Sequence, residues 1–197
     1  MLTYIRRSLV LAVLLVVFTF VYTLVGTGVS QLFFSHQADG SITADGSTLI
    51  GQNWSSNKFF HGRPDDAGPY AADPKEDIAG GDNPLVANGV SGESGATNLG
   101  PRSKVLLTNT KALVAYWHAR GVDPTPDLVT TSGSGYDPDI TPADALVQIP
   151  MVSAATGISP SRLRTLIAKE TNGEQLGFLG SSYIDVLQLN EGLAKLQ

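Results

Sequence analysis

The stretch Leu9-Val-Leu-Ala-Val-Leu-Leu-Val-Val-Phe-Thr-Phe-Val-Tyr-Thr-Leu-Val25 decides the architecture of this chain. It is apolar almost throughout, and no Asp, Glu, Lys or Arg occurs between Arg7 and Asp39. A bilayer's hydrocarbon core is spanned by about 20 such residues in a helix. A helix is the form this segment should take in lipid, because it satisfies every backbone polar group internally. An apolar surface on all sides argues against a core helix, which would show one apolar face. Arg6 and Arg7 precede the run and the first acids follow it. The positive-inside rule then leaves residues 1–7 in the cytoplasm and sends the remainder outside. Gly28-Val-Ser30 offers small residues where a signal peptidase could cut. The run is longer than a usual signal core, and Phe33 and Phe34 extend it past that point, so we read an uncleaved anchor.

Working outward, residues 1–34 form a cytoplasmic N-terminus and transmembrane anchor, and residues 35–197 one extracytoplasmic domain. The expected class is α+β, one N-terminal transmembrane helix followed by a single mixed α/β domain. Charged residues are only 16% of the chain, against a usual quarter, and the net charge is −5. A nucleic-acid partner would need a basic face, and none is evident. The absence of cysteine excludes disulfides, thiolate metal sites and a cysteine nucleophile.

In the domain, Asp45–Gly51 reads as a turn followed by a short strand, and Lys58–Pro64 as a second short strand. Asp65 to Gly100 is irregular, rich in Gly, Pro, Asp, Asn and Ser, as functional loops and lids often are. Pro101 should open a helix running to about Arg120, with Leu106, Leu113 and Trp117 on one face and Gly121 past its end. Asp127-Leu-Val-Thr-Thr131 is a strand candidate. Thr141-Pro-Ala-Asp144 is a capping box for a helix that runs toward Ala155, carries Pro150 and stops at Gly157. Ser159-Pro160 starts another helix, reaching about Thr171, and Ile184–Leu189 reads as a final strand.

Chemistry is hard to find. Serine hydrolysis needs a nucleophile, a histidine base and an acid. Of His36, His61 and His118, only His61, beside Gly62-Arg63-Pro64, stands in a motif-like setting. There is no G-x-S-x-G elbow, and three scattered histidines give no metal-ligand spacing. The glycine-rich Val90–Pro101 segment lacks a Walker lysine and a Rossmann pattern. Ala154–Arg164 resembles the core of a helix-turn-helix, without the basic face that DNA binding needs. Asp137 and Asp139 could concentrate cations by electrostatic focusing. Asp-Pro is also plain turn chemistry. An anchored exported hydrolase or binding module unrelated to transport stays open beside the reading below.

Taken in order, several motifs resemble one family. They are Gly46-Ser-Thr-Leu-Ile-Gly-Gln52, Phe60-His-Gly-Arg-Pro64, Ser94-Gly-Ala-Thr-Asn-Leu-Gly-Pro101, Asp127-Leu-Val-Thr-Thr-Ser-Gly-Ser-Gly135 with Asp137-Pro138, and Leu176-Gly-Phe-Leu-Gly180 with Val186-Leu-Gln-Leu-Asn190. With the anchor, they make the chain similar to the small C subunits of the bacterial high-affinity potassium-transporting P-type ATPase, the Kdp system. Family members often carry Glu-Pro where this chain has Ser181-Ser182, and a basic residue where Glu174 stands. The resemblance implies a non-catalytic, single-pass accessory subunit of the inner membrane. It implies two protein partners, a channel-like potassium-translocating subunit and an ATP-hydrolysing P-type subunit, besides membrane lipid. It also implies a role in assembly, with K+ the substrate of the whole complex. ATP enters as a family-implied ligand whose affinity for the catalytic subunit such chains are proposed to raise; the outward orientation of the domain favours coupling through the complex over direct contact. On this basis Arg63, Asn98, Ser132, Ser134 and Asp137 are expected to form a polar partner-facing surface. No catalytic or metal-ligating residue is expected.

Overall fold

The computed structural model describes residues 1–52, 54, 56–64, 99–134 and 137–197. It divides into two compact units, Met1–Ile42 and Thr43–Gln197.

The first unit is dominated by α1 (Leu2–Phe33), a helix of 32 residues with no buried side chain. At 1.5 Å per residue it is about 48 Å long, more than the hydrocarbon thickness requires. It is the one helix among the described residues long and apolar enough to cross a membrane. Two of its threonines bond back to the helix backbone. Thr19 Oγ1 donates to the Leu15 carbonyl at 2.9 Å, and Thr23 Oγ1 to the Phe20 carbonyl at 2.9 Å. A short turn of helix, α2 (Ser35–Ala38), follows Phe34.

The second unit is α+β, weighted toward helix. α3 (Lys104–His118) starts later than the sequence suggests. Ser103 is its N-cap, accepting from the Leu106 amide, so Pro101 lies in the turn before the helix rather than at its first position. Leu113 and Trp117 are buried and Leu106 half-buried, as the periodicity predicts. α4 (Pro142–Thr156) has the expected capping box: Thr141 accepts from the Asp144 amide and Asp144 accepts from the Thr141 amide. Pro150 sits inside α4 without ending it. It lies on the exposed face, as does Leu146, whose carbonyl loses its helical donor there and can turn to water. Gly157 terminates α4 at φ 75°, the left-handed angle that favours glycine. α5 (Pro160–Glu170) and α6 (Val186–Ala194) complete the helices.

Strand content is smaller than the sequence suggests. β1 (Asp139–Ile140) pairs antiparallel with β2 (Ile184–Asp185), Asp139 opposite Asp185 and Ile140 opposite Ile184. Four expected strands are corrected. Asp45–Gly51 and Lys58–Pro64 hold no strand. Asp127–Val129 is a turn of 3-10 helix. Ile184–Leu189 is strand for two residues only, because the Asp185 carboxylate accepts from the Gln188 amide at 2.7 Å and caps α6.

The core lies where α5 packs against α4 and α6, closed by Trp117, Leu128 and Phe60. Trp117 buries its ring and donates Nε1–H to the Leu128 carbonyl at 2.9 Å. Gly192 lets α6 approach α5: a Cβ there would lie 2.8 Å from Leu166 Cδ1.

Candidate functional site

Phe60-His61-Gly62-Arg63-Pro64 pairs with no strand among the described residues. Two side-chain amides take the place of a neighbouring strand. Phe60 N–H donates to Asn190 Oδ1 and Asn190 Nδ2 donates to the Phe60 carbonyl, both at 2.9 Å. His61 N–H donates to Gln148 Oε1 at 2.8 Å, and Gln148 Nε2 returns to the His61 carbonyl at 3.0 Å. Both amides are buried: Gln148 with Asp144, Ala145, Ile149 and Val152 of α4, and Asn190 with the apolar Val186, Leu189 and Leu193 of α6. Buried backbone groups must be paired, and these two residues do it.

His61 itself is fully buried. Its Nε2 lies 3.1 Å from the Ser56 carbonyl, which can only accept, so Nε2 carries the proton. Nδ1 then accepts from the Tyr116 hydroxyl at 3.4 Å. Burial, opposed by the Ser56 contact and reinforced by Arg120, pushes the imidazole down to about 4. Arg120 stacks 3.5 Å over the Tyr116 ring and donates Nε–H to Asn57 Oδ1 at 3.0 Å. A ring with both nitrogens engaged and no path to solvent is not poised to take a substrate's proton. His61 therefore holds the fold, and the hydrolase reading loses its histidine base. His118 is exposed, 3.5 Å from Asp123, and His36 lies on α2 in the first unit.

From this anchored segment Arg63 reaches the loop that begins with Asp127. Its guanidinium lies 3.3 Å from Asp137 Oδ2, 3.5 Å from the Thr130 carbonyl and 3.9 Å from Asp127 Oδ1. Ser132 Oγ donates to Asp137 Oδ2 at 3.0 Å and accepts from the Ser134 amide at 3.3 Å. Ser132 N–H donates to the Pro64 carbonyl at 3.1 Å. The structure thus brings Arg63, Ser132, Ser134 and Asp137 into one cluster, with Asp137 accepting from both Arg63 and Ser132. Asn98 lies outside the described residues, as does most of the irregular segment before it. The pair is three-quarters buried, with side chains 25% exposed on both partners. Its visible edge is therefore narrow, and much of the cluster joins the Phe60–Pro64 segment to the loop.

Sequence reading missed Asp127 and Thr130 as partners of Arg63, and the bonding roles of Gln148 and Asn190. The one available signal was an amide interrupting an apolar helical stripe.

Acids gather beside this cluster. Burial, then Asp185 and Asp137, raise Asp139 to about 6. Burial also raises Asp185, against the pull of its cap bonds to the α6 amides. No group of three or more metal-ligating side chains converges among the described residues.

The geometry defines a class first. This is a small α+β domain behind one membrane-length helix, with its buried polar groups largely engaged by one another. Comparison with known proteins makes the class specific. Residues 5–195 match the family described as KdpC: K+-transporting ATPase, c chain. The chain belongs to this family. It is similar to the potassium-transporting ATPase KdpC subunit of Methylobacterium nodulans, 41% identical across 100% of this chain and 98% of that one. The corresponding subunit of Gloeobacter violaceus is 40% identical over 87% and 85% of the two chains. KdpC subunit 1 of a Nostoc species is 38% identical over 98% and 94%.

Proposed function

We propose that this chain is a non-catalytic accessory subunit of an ATP-driven potassium uptake complex. Its α1 anchors it in the plasma (inner) membrane with residues 1–7 cytoplasmic, and its domain lies outside. The observation that carries this reading is the family match over nearly the whole chain. The occupied state of His61 supports the absence of chemistry of its own. The Arg6–Arg7 pair ahead of an uncharged helix supports the orientation. The partners are a channel-like potassium-translocating subunit and an ATP-hydrolysing P-type subunit.

Any effect on ATP affinity is then an allosteric one, a coupling free energy between the outer domain and a nucleotide site across the bilayer. The exposed edge of the Arg63, Ser132, Ser134 and Asp137 cluster, with Asn98, serves assembly.

A gentle-detergent pull-down of the tagged chain from potassium-starved cells tests the proposal. A large P-type ATPase and a polytopic channel-like protein should co-purify in fixed proportion. A chain that emerges alone from intact membranes would refute it. Arg63→Lys keeps the charge and loses the fork that meets Asp137, Asp127 and Thr130. It should lower the yield of assembled complex while the domain stays folded, as read by circular dichroism. Normal assembly in this variant and in Asp137→Asn would move the surface elsewhere.

A further inference from the structure

Between α5 and β2 the chain makes a two-rung hairpin. Asn172 and Tyr183 exchange both backbone hydrogen bonds, at 2.8 and 3.0 Å, and Gln175 and Leu179 exchange theirs at 2.9 Å each. Leu176, Gly177 and Phe178 form the tip, with Leu176 at φ 55° and Gly177 at φ 77°. The second angle suits glycine. The first is one that a leucine adopts only against steric resistance. A turn of this kind ordinarily places Gly, Asn or Asp at such a position. Here the backbone instead holds a large apolar side chain out in water. Leu176 is 82% exposed, Phe178 71% and Leu179 47%.

Exposure on this scale is concentrated. Of the nine large apolar side chains exposed among the described residues of the Thr43–Gln197 unit, four fall between Leu176 and Tyr183. A contiguous apolar patch on a small domain marks a contact site.

We propose that this hairpin tip is a plug: Leu176, Phe178 and Leu179 enter an apolar, uncharged cleft on another protein subunit. Charge selects protein over lipid. From Thr171 to Ala194 there is no Lys or Arg, and Glu174 sits at the base of the tip. Surfaces that lie in a bilayer interface flank their apolar residues with cations, which anionic headgroups attract. Glu174 would be repelled there. Rigidity points the same way. Both rungs are closed, and the tip is braced by Gly177 N–H to the Glu174 carbonyl and Phe178 N–H to the Gln175 carbonyl, each at 3.3 Å. A preorganised element loses little freedom on entering a fixed socket. An aromatic side chain flanked by leucines is the kind of anchor that dominates binding there.

This inference rests on the reading that the chain works within a multisubunit complex. The experiment is co-purification of the full-length tagged chain from native membranes, comparing wild type with Leu176→Gly/Phe178→Ser. The variant should carry at least tenfold less partner protein per tagged chain, with an unchanged melting temperature. Undiminished co-purification of the variant beside a wild type that brings its partners down overturns the plug alone. A wild type that comes out alone removes both readings. Two further outcomes overturn it in favour of another occupant. One is a Phe178→Trp chain, reconstituted in phosphatidylcholine and phosphatidylglycerol vesicles with brominated acyl chains, whose added fluorescence is quenched. The other is pairing between two differently tagged copies that the double variant abolishes.

Discussion

His61 and Asp139 pull the stability of the domain in opposite directions as pH changes. His61 titrates near 4 in the folded chain and at 6.5 when unfolded. The unfolded state therefore takes up the proton first. The stability that neutral His61 represents is fully present above pH 6.5, falls as pH drops toward 4, and is gone below it. The difference corresponds to roughly 3 kcal/mol. Following the His61 ring by NMR should show a midpoint near 4. Asp139 has the reverse sign. Its folded carboxyl is raised to about 6 from 3.8, so its ionisation works against the fold at neutral pH, and that penalty fades as pH falls through 6. It faces Asp185 directly across the two-stranded ladder, where like charges are unfavourable. Asp139→Asn should therefore raise the unfolding free energy at pH 7 by about a few tenths of a kcal/mol, read as a higher melting temperature. The gain should be absent in the same melt at pH 4.

Among the elements, the decisive pairing is between a loop and two helices. Replacing Asn190 with alanine orphans the Phe60 N–H and carbonyl, and replacing Gln148 does the same at His61. Each variant should lose about 3 kcal/mol in denaturant unfolding, since each leaves two buried backbone groups unpaired. This pairing also explains what the sequence could tell. Helix ends were legible because their signals are local: Thr141 with Asp144, Gly157, and Pro160 after Ser159 each act within one turn. The strands were not. Phe60–Pro64 has the apolar look of a strand, but its hydrogen-bond partners are side chains 87 and 130 positions away. Val186-Leu-Gln-Leu189 alternates like a strand, yet Asp185 caps it and Val186, Leu189, Asn190 and Leu193 then share one buried helical face. Of the expected polar cluster, Arg63, Ser132, Ser134 and Asp137 do converge. Their own spacing did not reveal the Thr130 carbonyl closing the ring, because a backbone carbonyl carries no sequence signal.

For the whole molecule, the two units answer to different solvents. α1 exposes apolar side chains on every side, and a helix of this kind leaves lipid only at great cost. Alkaline carbonate extraction should leave the intact chain in the membrane pellet, with the N-terminal residues still present by sequencing. Release of a shortened chain would mean cleavage near Gly28-Val-Ser30. The clamp formed by Gln148 and Asn190 has a temporal meaning as well. The segment it grips is made well before its second jaw, which follows Phe60 by 130 positions. Until Asn190 emerges, Phe60 and His61 have incomplete partners, and such long-range closure is slow. The Thr43–Gln197 unit should therefore stay unlatched at Phe60 until Asn190 has been made.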